Sequence, residues 1–206
     1  MKWIWLPVAA CLLAACVGSA GNRPQAEVYD FGLPVERLTE DGRWSNVAVD
    51  IKAPQWVDSR DIEYRLLYEN PLNLRRYAAS HWAGAPGPLL SQRLRQQLGL
   101  GGGSGQTSVA CLLRVELQEF SQLFDTPLRS RGLLQGRASM LDPRRQIIAE
   151  REFAIVRPAP TADARGGVSA LVATSEDLGR QLAAWLNDLE KRGRLKGCRP
   201  TAEERQ

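Results

Sequence analysis

The sequence has few of the residues from which catalytic and metal sites are usually built. Its 206 residues include a single histidine, His81, and one imidazole cannot form a histidine-rich metal site. No Gly-x-Ser-x-Gly motif is present, because the nearest match, residues 102–106, ends in Gln106. That glycine run precedes a predicted strand, so it matches neither a phosphate-binding loop nor a dinucleotide fingerprint. We therefore predict that the protein is not an enzyme and holds no metal and no cofactor.

An excess of charge of one sign is also missing. The formal net charge is only +4, and the arginines are scattered among acidic residues. A nucleic-acid-binding protein needs a basic patch or stripe, so we expect no nucleic-acid partner. The nearby acids Asp58, Asp61 and Glu63 are more typical of turns and caps than of a catalytic carboxylate pair.

The sequence contains no apolar run long enough to span a membrane at its N-terminus. The uncharged stretch 3–15 follows Lys2 and falls short of the about 20 residues that a spanning helix needs. A short positive region followed by a short apolar region is typical of a signal peptide. We therefore predict that residues 1–15 are a signal peptide, absent from the mature protein.

Cys16 ends a pattern typical of bacterial lipoproteins. Leu13 is followed by two alanines and then by Cys16, whose thiol would carry the lipid. Cys11 offers a second candidate but leaves a very short apolar region, and a plain signal peptide with an accidental cysteine is the other alternative. Val17, rather than an aspartate, favours the outer membrane. Residues 16–28 are predicted to be the lipidated cysteine and a flexible tether, 29–198 a single domain and 199–206 a tail.

Two cysteines remain once Cys11 and Cys16 are assigned. An even pair in an oxidising compartment predicts one disulfide, between Cys111 and Cys198. The alternative is a buried thiol at Cys111 and a free thiol at Cys198.

The hydrophobic periodicity predicts a mixed α/β domain. Alternation predicts strands over residues 47–51, 61–68, 74–79, 109–117, 133–141 and 146–156. Helical spacing predicts one helix that begins near Pro86 and ends at Gly99, and a longer helix over 168–189. Residues 142–145 form a turn within an antiparallel meander, and 158–167 form a loop. The expected fold is α+β, a two-layer sandwich of an antiparallel or mixed sheet with both helices packed on one face.

Aromatic residues concentrate in or near the predicted loops of the first half, at Trp44, Trp56, Tyr77 and Trp82. Such residues either fill the core or, when exposed, contact partners. For Trp56 and Trp82 both interpretations stay open, and these two are the candidate partner-binding residues.

Several motifs occur together along residues 29–190: Tyr29-Asp30-Phe31-Gly32, Pro54-Gln55-Trp56-Val57-Asp58, Asp61-Ile62-Glu63-Tyr64-Arg65, Arg76-Tyr77, Ser80-His81-Trp82-Ala83-Gly84-Ala85-Pro86, Leu117-Gln118-Glu119-Phe120 and Glu150-Arg151-Glu152-Phe153. With the lipobox at Cys16, this set resembles the ABC-type transport auxiliary lipoproteins, the family that includes PqiC. The resemblance implies a non-catalytic outer-membrane lipoprotein that faces the periplasm and supports envelope integrity.

The same resemblance implies partners. It points to an ABC permease complex and its MCE-domain protein, which move lipids between membranes. This chain would dock that complex to the outer membrane, and it could do so as a homo-oligomer. It supplies no catalytic residues. Two alternatives stay open: a lipoprotein that regulates a cell-wall synthase, and a lipid-anchored hydrolase. A similar fold would not separate them.

Overall fold

The computed structural model describes residues 26–33, 37–40, 43–101 and 111–198. Cys16, the signal peptide, most of the tether, the run 102–106 and the tail 199–206 lie outside the described residues. The elements follow in the order β1 (Glu27–Tyr29), β2 (Val47–Lys52), β3 (Asp61–Leu66), β4 (Leu74–Trp82), α1 (Pro86–Leu98), β5 (Cys111–Thr126), β6 (Arg129–Leu141), β7 (Ile147–Pro158), α2 (Ala164–Lys191) and a short 3-10 helix, Lys196–Cys198.

The seven described strands form one mixed sheet, which confirms the predicted α+β class. Their order is β1-β4-β3-β5-β6-β7, and β2 also pairs with β5. The first half of β5 pairs in parallel with β2, and its second half pairs in parallel with β3. On its other edge β5 begins the predicted antiparallel meander with β6 and β7. The long strand β5 therefore pairs with three other strands and joins the two halves of the sheet.

Both predicted helices are present, and local signals explain their ends. Pro86 lies in the first turn of α1, and Gly99 ends the helix with a φ of 62°, a left-handed conformation that glycine adopts without strain. Asp163 caps α2 by accepting a hydrogen bond from the Gly166 N–H at 2.8 Å. The helices contact each other and share one hydrophobic core with the sheet.

The predicted disulfide between Cys111 and Cys198 is present. Cys111 is the first residue of β5, and Cys198 ends the 3-10 helix that follows α2. Both residues are buried in the core. The bond therefore holds the segment after α2 against the start of the central strand.

Several predicted boundaries differ from the structure, and the largest differences are these. The sheet begins at Glu27, inside the predicted tether, because 27–29 pair in parallel with the end of β4. β4 continues to Trp82, and β5 continues to Thr126 past a bulge between Leu117 and Glu119. The predicted loop 158–167 shrinks to 159–163, since β7 ends at Pro158 and α2 begins at Ala164.

Two findings concern the described residues as a set. No described helix has both the length and the apolar composition needed to cross a membrane. Within the same residues, no group of three or more His, Cys, Asp or Glu side chains is arranged to hold a metal ion.

Candidate functional site

Trp56 lies on a short, well-ordered loop between β2 and β3. The Pro54 carbonyl accepts hydrogen bonds from the N–H groups of Val57 and Asp58, each at 2.9 Å. Val57 is buried, and the Asp58 carboxylate accepts a hydrogen bond from the Gly87 N–H at the start of α1, at 3.4 Å. Trp56 itself is 62% exposed. The loop is therefore fixed on both sides of an indole that faces solvent.

Trp82 is a core residue, which corrects its assignment as a candidate partner-binding residue. Only 1% of it is exposed. Its ring packs edge-on against Phe31, with centroids 5.5 Å apart, and against Phe120 at 5.7 Å. Trp82, the last residue of β4, therefore lies in the core beneath the segment that follows β1, and no partner can reach it in this fold. Trp44 is buried in the same way.

An open groove runs between β1 and the first half of α2. Its volume is about 500 Å³. One wall is the chain from Val28 to Gly32, and the other is formed by α2 side chains that include Val172 and Glu176. Because residues 27 and 28 of β1 fall in the predicted tether, the sequence analysis did not predict this groove. An alternation of only three residues is too short to indicate a strand.

Arg93 on α1 lies beneath the same segment. Its side chain is only 2% exposed, its Nη1 donates to the Leu33 carbonyl at 3.2 Å, and Nη1 lies 3.9 Å from the Glu176 carboxylate on α2. Burial lowers the pKa of Arg93, and the charge of Glu176 opposes that effect. Arg93 therefore joins the segment after β1 to both helices and fixes one end of the groove.

A second polar cluster lies on the helix-free face of the sheet. Arg65 pairs with Glu119 at 3.1 Å, and Arg76 pairs with Asp61 at 3.0 Å. Glu63 lies between these pairs and is only 6% exposed. Burial, together with the nearby Glu119 carboxylate, raises the pKa of Glu63 to about 7.

The three acids noted in the sequence do not converge on one reacting position. Asp58 bonds to the start of α1, Asp61 pairs with Arg76, and Glu63 is enclosed by charged neighbours on β3, β4 and β5. His81 lies near Asp61, with Nδ1 3.7 Å from the carboxylate. Asp58 and Asp61 each already have a hydrogen-bond or ion-pair partner, which is typical of a structural charge network. Cys16 lies outside the described residues.

Comparison with known proteins extends the fold assignment. No family model matches the sequence, and no curated protein matches it. The fold is similar to that of a Xanthomonas campestris protein assigned to the family DUF330. That alignment covers 81% of this chain and 98% of the other, with a TM-score of 0.65 and 18% identity. A second solved structure, of an uncharacterized protein, aligns over 79% of this chain and 99% of its own, with a TM-score of 0.61 and 12% identity. At such identities the similarity shows a shared fold.

Proposed function

We propose that this protein is a non-catalytic lipoprotein that docks the periplasmic part of an ABC/MCE-type lipid transporter to the outer membrane. The observation that carries the proposal is the fold shared with the DUF330 protein over 98% of that chain. DUF330 is the PqiC-like family, which the sequence motifs resemble independently. Cys16 supplies the lipid anchor in this proposal.

In this proposal the domain acts by binding a partner and not by catalysis. ATP hydrolysis would belong to another subunit of the transporter, and the lipoprotein would hold the MCE-domain protein at the membrane. Trp56 is the residue best suited to that contact, because its backbone is fixed while its indole is exposed. A loop whose backbone is already fixed loses little backbone entropy when it binds, and aromatic anchors dominate interface energetics.

Co-purification from outer-membrane extracts tests the proposal. We expect the lipidated protein to retain an MCE-domain protein. Changing Trp56 to Ala should weaken that binding by at least about thirty-fold, the equivalent of about 2 kcal/mol. Ile147→Ala is the matched control, because Ile147 is a similarly exposed apolar residue at the start of β7.

Two results would count against the proposal in different ways. If no MCE-domain protein is retained by the unmodified chain, the assigned partner is wrong. If the partner is retained equally by the wild type, Trp56→Ala and Ile147→Ala, the complex exists but Trp56 is not its anchor.

A further inference from the structure

Two turns that lie side by side at one end of the sheet expose large apolar side chains. The β3–β4 turn, residues 67–73, carries Tyr68 and Leu72, and the β5–β6 turn carries Leu128. Leu72 is 88% exposed and Leu128 is 87% exposed. The turns are neighbours because Leu66 pairs with Phe124 and the Leu67 N–H donates to the Phe124 carbonyl at 2.9 Å. We call this end of the domain the hairpin end.

The turns are rigid, so their apolar residues are held outward. In the β3–β4 turn the Leu66 carbonyl accepts from the Asn70 N–H at 2.9 Å, and the Asn70 side chain accepts from the Leu72 N–H at 3.0 Å. Arg65 donates to the Pro71 carbonyl at 3.3 Å. A braced turn that keeps a leucine in water loses the hydrophobic stabilisation that burial would give, and a patch of exposed apolar residues commonly marks a binding surface.

The first described strand has its N-terminal end toward this same end. β1 runs parallel to β4 with Glu27 opposite Ser80, and β4 starts at Leu74, beside the β3–β4 turn. The N-terminal end of β1 therefore faces the hairpin end, which lies roughly 20 Å away along the strand direction. The pair between Arg165 and Glu27, at 3.5 Å, places the start of β1 beside the first turn of α2. The first turn of α2 lies on the hairpin side of the sheet's middle, because Gln122, four residues before the end of β5, donates to the Asp163 carbonyl at 3.1 Å.

Cys16 is close enough along the chain to bring the hairpin end to a bilayer. Ala26 is ten residues after Cys16, and an extended chain of that length spans at most about 35 Å. Along the strand direction Glu27 lies roughly 20 Å from the hairpin end and roughly 30 Å from the end that carries Cys111, so a lipid on Cys16 reaches the hairpin end with more slack. Charged residues surround the apolar ones: Arg75 pairs with Glu69, Arg131 pairs with Asp125, and Arg129 is exposed. Apolar side chains bordered by charged groups of both signs suit the headgroup layer of a bilayer.

We propose that the hairpin end rests on the lipid bilayer, with Tyr68, Leu72 and Leu128 inserted among the headgroups, so that the domain stands upright on the membrane. The inference rests on the lipid anchor of the proposed function. Three side chains bind a bilayer only weakly by themselves, but an anchor raises their effective concentration at the surface. The disulfide end then points away from the membrane.

Hydrogen exchange on chemically anchored protein tests this orientation. The mature chain from Cys16 is coupled through that thiol to a maleimide-bearing lipid in vesicles of phosphatidylethanolamine and phosphatidylglycerol. The Cys111–Cys198 bond leaves Cys16 as the reactive thiol. We expect exchange to slow several-fold in the turn 67–73 and at the Leu128 amide on anchoring, and to stay unchanged in the turn 142–146 at the other end. The double variant Leu72→Ser/Leu128→Ser should melt like the wild type and lose this protection.

Each contrary result overturns the inference. Unchanged exchange in the two turns, equal protection at 142–146, or full protection in the double variant would mean that the hairpin end does not rest on lipid. Protection that appears without vesicles as protein concentration rises would assign the patch to a second copy of the chain. The lipid state of Cys16 in cells, measured separately by mass spectrometry, tests the proposed function, because the chemical anchor does not depend on it.

Discussion

Trp82 and Trp56 differ in burial, and that difference predicts opposite effects of mutation. Trp82 packs on Phe31 and Phe120 inside the core, so Trp82→Ala should lower the free energy of unfolding by about 3–5 kcal/mol. Trp56→Ala removes a mostly exposed ring and should leave stability nearly unchanged. Urea denaturation of both variants measures this. Equal losses in the two variants would contradict the assignment of Trp56 to the surface.

Glu63 should make stability fall as pH rises through the neutral range. Its pKa is raised from 4.5 to about 7 by burial, so the folded protein binds this proton more tightly than the unfolded chain does. The stabilisation from the bound proton is complete below about pH 4.5 and is lost as pH approaches 7. Glu63→Gln should flatten this slope and raise stability at pH 8 by about 1–3 kcal/mol.

Denaturation midpoints measured across this pH window, with Glu116→Gln as an exposed control on the same face, check the effect. If the dependence of stability on pH survives in Glu63→Gln and disappears in Glu116→Gln, Glu116 rather than Glu63 causes it.

Among the elements, those with a long and regular period were predictable from sequence. Both helices, the meander and the class of fold follow from apolar spacing that persists over three or more turns or repeats. The second half of β5 was missed because the bulge after Leu117 reverses the alternation. Cys111, Leu113, Val115 and Leu117 face the core before it, and Phe120, Gln122 and Phe124 face the core after it. β1 was missed because a three-residue edge strand is defined by its distant partner, β4, rather than by its own pattern.

The candidate site was less predictable for a related reason. Sequence composition marks Trp56 and Trp82 as equivalent, whereas their environments depend on tertiary contacts. Trp82 ends a strand whose final residues cross the core, and this extension of β4 beyond residue 79 was not visible in the pattern. The apolar turn residues Leu72 and Leu128 were visible individually, but only the parallel pairing of β3 with β5 brings them together.

Close contact between β5, β6 and β7 depends on Gly136. A methyl group at this position would lie 2.2 Å from the Glu116 carbonyl oxygen and 2.8 Å from the Phe153 ring. Neither a backbone carbonyl within a strand nor a buried ring can move freely, so Gly136→Ala should cost about 1–3 kcal/mol or more. Gly197→Ala is the matched control, because nothing lies within 4 Å of its added methyl group. Thermal melting compares the two, and equal melting temperatures would show that the sheet absorbs the methyl group.

Across the whole molecule, the disulfide joins points 87 residues apart in sequence. Closing a loop of that length restricts the unfolded chain, and the chain-entropy model gives a stabilisation of about 4–5 kcal/mol. Reduction should therefore lower the free energy of unfolding by that order without any substitution in the sequence. Urea denaturation with and without a thiol reductant measures the loss. Coincident curves would mean that α2 and the core hold the C-terminal segment without the bond.

The position of the protein in the envelope should depend on Cys16. No described helix can cross a bilayer, and the apolar residues of the hairpin end are too few to hold the domain at a membrane alone. Multiple acyl chains on one cysteine provide stable attachment, so Cys16→Ser should move the protein out of the outer-membrane fraction. Cys11→Ser is the matched control, because Cys11 lies in the predicted signal peptide and its loss should leave fractionation unchanged. Release by Cys11→Ser instead would place the lipidation site at the earlier cysteine, and retention of both variants would require an anchor other than a lipid on either thiol.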